Sequence, residues 1–121
     1  MNFIVFSVKL YPNKTYGYVE MLTNASTSRY SLICSDGFGD TEASVACRQL
    51  GLEYGVAFCC NAFGHGQGYH LYETSSLTCS GNEYRLQDCN YSRERCQSNG
   101  YASVVCSNVA PRGKSTHAHE Y

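Results

Sequence analysis

The chain has 121 residues, enough for one domain, with nine Lys and Arg against ten Asp and Glu and a net charge of −1. That balance excludes a global field drawing the chain to nucleic acid or to an anionic membrane surface. No stretch approaches the ~20 apolar residues of a membrane span.

Eight cysteines stand at Cys34, Cys47, Cys59, Cys60, Cys79, Cys89, Cys96 and Cys106. This density reads as a disulfide framework in an oxidising compartment. Three sequons, Asn13-Lys14-Thr15, Asn24-Ala25-Ser26 and Asn90-Tyr91-Ser92, make Asn13, Asn24 and Asn90 glycosylation candidates. Met1 to Leu10 has no basic n-region and no small-x-small cleavage site, so it is not read as a signal peptide. Secretion is inferred from the cysteines and sequons. There are 11 tyrosines and no tryptophan. Tyrosine serves a contact surface at low entropy cost, and serves a core equally well.

In chain order, Ser7-Val8-Lys9-Leu10 alternates as a strand, and Pro12-Asn13 is turn chemistry. Tyr18–Leu22 and Tyr30–Cys34 read as strands, with Thr23–Ser26 as the hairpin loop between them. Asp40 or Thr41 is expected to cap a helix over Glu42–Leu50. Glu42 lies in its first turn, and Ala43, Ala46, Cys47 and Leu50 share one face. Gly51 stops it. Residues 51–78 read as irregular. The run Phe63-Gly64-His65-Gly66-Gln67-Gly68 lacks a Gly-Lys-Ser/Thr ending, so it reads as a surface loop and not a phosphate loop. Tyr101–Cys106 reads as a last strand. The domain is placed at 1–107, with 108–121 as a flexible polar tail or linker.

Four stretches carry a family resemblance. Cys34-Ser35-Asp36-Gly37-Phe38 is similar to the Cys-Asp-Asp-Gly-Trp signature of the scavenger receptor cysteine-rich domain. Ala43 through Gly51 resembles that family's helix, Cys79-Ser80-Gly81-Asn82-Glu83 with Leu86 and Cys89 resembles its Cys-Ser-Gly-Asn-Glu segment, and Val104-Val105-Cys106-Ser107 resembles its ending. The resemblance spans about residues 6–107. It implies an α+β fold, a curved and mostly antiparallel sheet cradling one helix, with disulfides Cys34–Cys96, Cys47–Cys106 and Cys79–Cys89. The extra pair of the eight-cysteine version is replaced here by Tyr16-Gly17 and Leu52, so the chain resembles the six-cysteine type with two unrelated cysteines.

Those two are Cys59 and Cys60. Neighbouring Cα atoms are only ~3.8 Å apart, below the usual disulfide range, so a vicinal bridge is strained. A vicinal disulfide, an interchain bridge and free thiols remain open. Cys59, Cys60, His65 and His70 also form a possible zinc set if the thiols are reduced. A redox switch is a further option. His117 and His119 read as solvated.

Family members bind a divalent cation through two aspartates after the first conserved cysteine and a glutamate before the last. Here those places hold Ser35, Asp36 and Gly100, so the resemblance implies a lost or weak calcium site. A second family site maps onto Asp40, Glu42, Asn82 and Glu83, with helix capping and a structural turn as the competing roles. Arg85, Arg93 and Arg95 form a candidate binding patch for sulfate, phosphate or carboxylate, with Tyr84 and Tyr91 beside it. Tyr101 could extend it, and interleaved Asp88 and Glu94 fit an ordinary mixed surface equally.

No nucleophile constellation is present, so no enzyme is expected. No cofactor is expected beyond a weak divalent cation such as calcium. The expected function is an extracellular, ligand-binding module for proteins, glycans or polyanionic surfaces, as a monomer or disulfide-linked dimer. The alternative is a structural matrix component crosslinked through Cys59 or Cys60.

Overall fold

The computed structural model describes residues 7–24, 26, 29–59, 62, 73–96 and 100–110. The expected helix forms as α1, Asp40–Gln49. It starts two residues early because Gly39 is its N-cap, donating its N–H to Glu42 Oε1 at 2.8 Å. Asp40, expected as a cap, instead accepts the N–H of Ala57 at 2.8 Å. Gly51, at φ +88°, ends the helix.

The strands are β1 (Val8–Pro12), β2 (Tyr16–Asn24), β3 (Arg29–Ile33), β4 (Tyr54–Phe58), β5 (Glu73–Thr78), β6 (Asn90–Arg93) and β7 (Ser103–Ser107). Among the described residues these seven form one sheet in the order β4-β7-β2-β3-β5-β6, with β1 paired to β2. The pairings are antiparallel except β3 with β5, which is parallel and sets Ser31 opposite Glu73. Residues 51–78 therefore hold two strands where an irregular segment was expected, and β2 runs on to Asn24, beyond the predicted strand end. Tyr101 forms only an isolated bridge, with Cys34.

The inner face of the sheet packs on α1. Val19, Met21, Ile33, Leu77 and Val104 meet Ala43, Val45, Ala46 and Cys47 in the main core. Period-2 alternation leaves Tyr18 and Leu32 on the other face, where they form a smaller cluster with Tyr101. Three disulfides close the fold: Cys34–Cys96, Cys47–Cys106 and Cys79–Cys89, with sequence separations of 62, 59 and 10. In the chain-entropy model the two long bridges contribute about 4 kcal/mol each and the short one about 3.

One contact closes the segment before β6 on itself and another ties it to the rest. Glu83 folds back on its own turn: Oε2 accepts the Ser80 N–H at 2.9 Å and hydroxyl at 3.0 Å, and Oε1 accepts the Gly81 N–H at 2.9 Å. Gln87 bridges elements, donating to the carbonyls of Ser7 (3.1 Å) and Leu22 (3.0 Å) while accepting from Gln49 (3.0 Å).

Gly55 sits under the helix, where a Cβ would meet Cys47 Sγ at 2.6 Å and clash with the Ala43 carbonyl. The obstacle is backbone and a disulfide sulfur, so little can yield. Gly55→Ala is expected to destabilise the domain by about 1–3 kcal/mol, read as a lower midpoint in chemical denaturation.

The amides around Glu83 hold its carboxyl down at about 2, against an ordinary 4.5. A depressed acid stabilises the fold above its unfolded pKa, and that stability is lost as pH falls from about 4.5 towards 2. Burial pushes Glu20 the other way, so its ionised form opposes folding near neutrality and acidification relieves it. The Glu83→Gln variant should melt below wild type at neutral pH, with the gap narrowing as pH approaches 2. Melting curves across that range check it.

Candidate functional site: a paired-arginine cleft

Parallel pairing of β3 and β5 builds a cleft at the rim of the sheet. Glu73 opens β5 opposite Ser31, so Arg29 lies on one side of it. On the other side, β6 pairs antiparallel with β5 and sets Arg93 opposite Ser75. Glu73 Oε2 accepts from Arg29 Nη1 at 2.9 Å and from Arg93 Nη2 at 3.3 Å. The carboxylate is largely covered, its side chain 19% exposed, while the arginine side chains are 58% and 77% exposed. Pairs this exposed stabilise the fold by only about 0–1 kcal/mol each. Tyr91, two residues before Arg93 and half-exposed, forms another wall, and Thr23 and Ser75 complete a cavity of about 250 Å³. Two guanidinium groups against one carboxylate leave the cleft net positive.

Of the candidate binding residues, Tyr91 and Arg93 line this cleft. Arg85 does not: its fork is closed on Asp88, Nε to Oδ2 at 3.1 Å and Nη2 to Oδ1 at 2.7 Å. The pairing raises the Arg85 pKa and lowers that of Asp88. Tyr84 is 85% exposed, and Arg95 is exposed before Cys96. Arg29 was missed by sequence reasoning because its partner lies 44 residues away, across a parallel pairing.

The first family cation position is assembled: the Ser35 N–H donates to the Gly100 carbonyl at 2.9 Å, and Asp36 is half-buried nearby in sequence. It offers one carboxylate where calcium takes six to eight oxygens. At the second position the carboxylates brace the chain. Glu42 is buried and accepts from Gly39 N–H through Oε1 and from Cys79 N–H at 2.9 Å through Oε2. Glu83 is held by Ser80 and Gly81, Asp40 accepts from Ala57, and Asn82 is exposed. A cation there would have to compete with those amides, so this donor set fits a structural brace better than a calcium cage.

Cys79, Glu83 and Cys89 also lie together, but the two sulfurs are bonded to each other and supply no thiolate. Cys59 is disulfide-bonded. Cys60, His65 and His70 lie outside the described residues, as do His117 and His119, so the zinc set falls there too. Among the sequons, Asn13 is exposed in a turn, where its Oδ1 accepts from Lys14 and Thr15, and Asn90 is exposed at the start of β6. The Asn24 side chain lies outside the described set. No described helix is long and apolar enough to cross a membrane.

Residues 12–107 match the family model of the scavenger receptor cysteine-rich domain. The chain is 34% identical over 100 residues to a scavenger receptor cysteine-rich domain superfamily protein of Patiria pectinifera, covering 76% of the chain and 8% of that relative. It is 36% identical over 110 residues to lysyl oxidase homolog 2 of Mus musculus, covering 82% of the chain and 14% of that relative. The chain thus spans a small part of each of these proteins. Its fold is similar to the third such domain of murine neurotrypsin (TM-score 0.70, 33% identity, 88% of this chain and all 100% of that one). It is also similar to the dimeric form of the domain from mouse MARCO (TM-score 0.59, 30% identity, 76% of this chain and 86% of that one). With its helix on a curled sheet and three family disulfides, the chain belongs to the scavenger receptor cysteine-rich domain family, a family of non-catalytic binding domains.

Proposed function

We propose that this domain is an extracellular recognition module that captures anionic groups on proteins or glycans without help from a bound cation. The observation that carries the reading is the net-positive cleft in which Arg29 and Arg93 share Glu73. Arginine forks match carboxylate, sulfate and phosphate oxygens, and a concave wall shields them from part of the salt screening. The cation positions support the second half of the proposal. Of Ser35, Asp36 and Gly100 at the first, Asp36 alone is a carboxylate, and the second has its glutamates engaged by backbone amides. Three disulfides and exposed sequons are consistent with work outside the cell.

The test is surface binding to immobilised dextran sulfate, with uncharged dextran as the reference. The protein should bind the sulfated surface alone, weaken steeply as salt rises, and respond equally in calcium and in EDTA. Asp36→Ala should bind as wild type does. Calcium-dependent capture abolished by Asp36→Ala would overturn the cation-independent reading, and failure to bind any polyanion would overturn the function itself.

A further inference from the structure

Resting on that reading, we infer that the Arg29–Glu73–Arg93 cleft takes a single anionic sugar unit of a glycan chain, and that Glu73 is a built-in competitor the ligand displaces. The size of the cleft sets the first limit. Its volume of about 250 Å³ falls below the ~300–1,000 Å³ of a site that engulfs a drug-sized ligand. One unit of a chain enters, and the remainder stays in solvent.

The walls set the second limit. Tyr91 and Arg93 alternate onto the same side of β6, so an aromatic ring and a guanidinium fork stand side by side. The ring offers an apolar plane to the C–H face of a sugar, and its hydroxyl keeps a polar edge. Thr23 also lines the cleft, its hydroxyl donating to the Arg29 carbonyl at 3.3 Å. A bare inorganic anion would use the forks and leave the ring idle. An acidic peptide would need an extended groove to hold its backbone, and this cavity is confined to a few residues on β2, β3, β5 and β6.

Glu73 sets the third. Both arginines donate to the same oxygen, Oε2, and among the described residues neither guanidinium bonds any other group. The forks are pre-aimed at one point, where a ligand carboxylate or sulfate meets two donors already converging. To do so it must displace Glu73, and that competition keeps single-site affinity low. Several copies of the domain held together would then bind a repetitive anionic surface far better than one copy binds an isolated anion.

The experiment is titration calorimetry on the full chain with three probes: a sulfated heparin-derived tetrasaccharide, a carboxylated hyaluronan tetrasaccharide and neutral chitotetraose. At least one anionic probe should bind and the neutral one should not, and which anion binds tells sulfate from carboxylate. Arg29→Ala and Arg93→Ala should each weaken binding by about tenfold or more, and Arg29→Lys should lose part of it by keeping charge without the fork. Glu73→Gln should tighten binding, because it removes the competitor and leaves both arginines unneutralised. A Glu73→Gln variant that weakens binding, with an unchanged melting temperature, would show that the triad is structural and overturn the inference. Equal binding of the neutral probe would overturn it too. Anion binding that survives both arginine substitutions would place capture elsewhere, defeating this inference while sparing the broader function. No binding of either anionic tetrasaccharide by wild type would defeat this inference, and loss of binding to immobilised dextran sulfate as well would defeat both.

Discussion

The helix rests on the sheet at a distance that only glycine permits, and the rest of the fold is arranged around that contact. Gly55 in β4 lies against the Ala43 carbonyl and Cys47 Sγ. The same sulfur is bonded to Cys106, which pairs with Gly55 across β4 and β7. One backbone position thus joins the helix, an edge strand and a disulfide. A larger residue at 55 would lift α1 and misalign Cys47 with Cys106. The alanines of α1 serve the same closeness, since a core this small relies on short distances and covalent closure.

From that anchor, α1 organises its surroundings through polar side chains. Glu42 joins the helix start to Cys79, Arg48 donates to the carbonyls of Gly81 (2.7 Å) and Glu83 (3.1 Å), and Gln49 accepts the Leu86 N–H at 2.8 Å. The whole segment from Cys79 to Cys89 therefore hangs on one side of the helix. This explains why acidic residues that resemble cation ligands are found making braces. A carboxylate that accepts two or three amide hydrogens is already stabilised in its charged form, and the Glu83 pKa records it. The cleft stands apart from this web, beyond the end of the core, where β3, β5 and β6 meet. Its arginines, both paired with Glu73, carry little of the folding energy.

Much of this architecture was legible in the sequence. The small face Ala43, Ala46, Cys47 fell at helical spacing, and the segments around Cys34, Cys79 and Cys106 carried the family pattern. What escaped was non-local. Gly55 breaks the apolar pattern of β4 because the helix needs its space, so the strand read as irregular. In β5, Thr74-Ser75-Ser76 looks like loop, yet buried Ser75 satisfies its hydroxyl on Ser31 at 2.8 Å, a pairing created by the parallel register. All four residues of β6 are exposed, leaving no alternation to detect. Arg93 and Tyr91 were visible as a basic and aromatic cluster near Cys89. Arg29 and Glu73 were not, since nothing near either residue announces the other. Arg85 lies outside the cleft, its fork closed on Asp88 three residues on.

The tyrosines divide between core and surface, and the division follows the sheet. Tyr18 is fully buried on the face away from the helix, edge-on to Tyr101 with ring centres 6.4 Å apart, and Leu32 completes the cluster. Around it Tyr11, Tyr16 and Tyr54 stay partly exposed, next to a largely apolar hollow lined by Val56, Val105 and Val109. The outer face is therefore a sheet surface with a core of its own. It borders β4, an edge strand of the kind that invites pairing with another chain. Asp40 answers that hazard from the helix, because its carboxylate takes the Ala57 N–H on the β4 edge. A residue placed where a helix cap was expected thus closes a sheet edge. The helix start could spare it, because Glu42 caps Gly39 from inside the first turn.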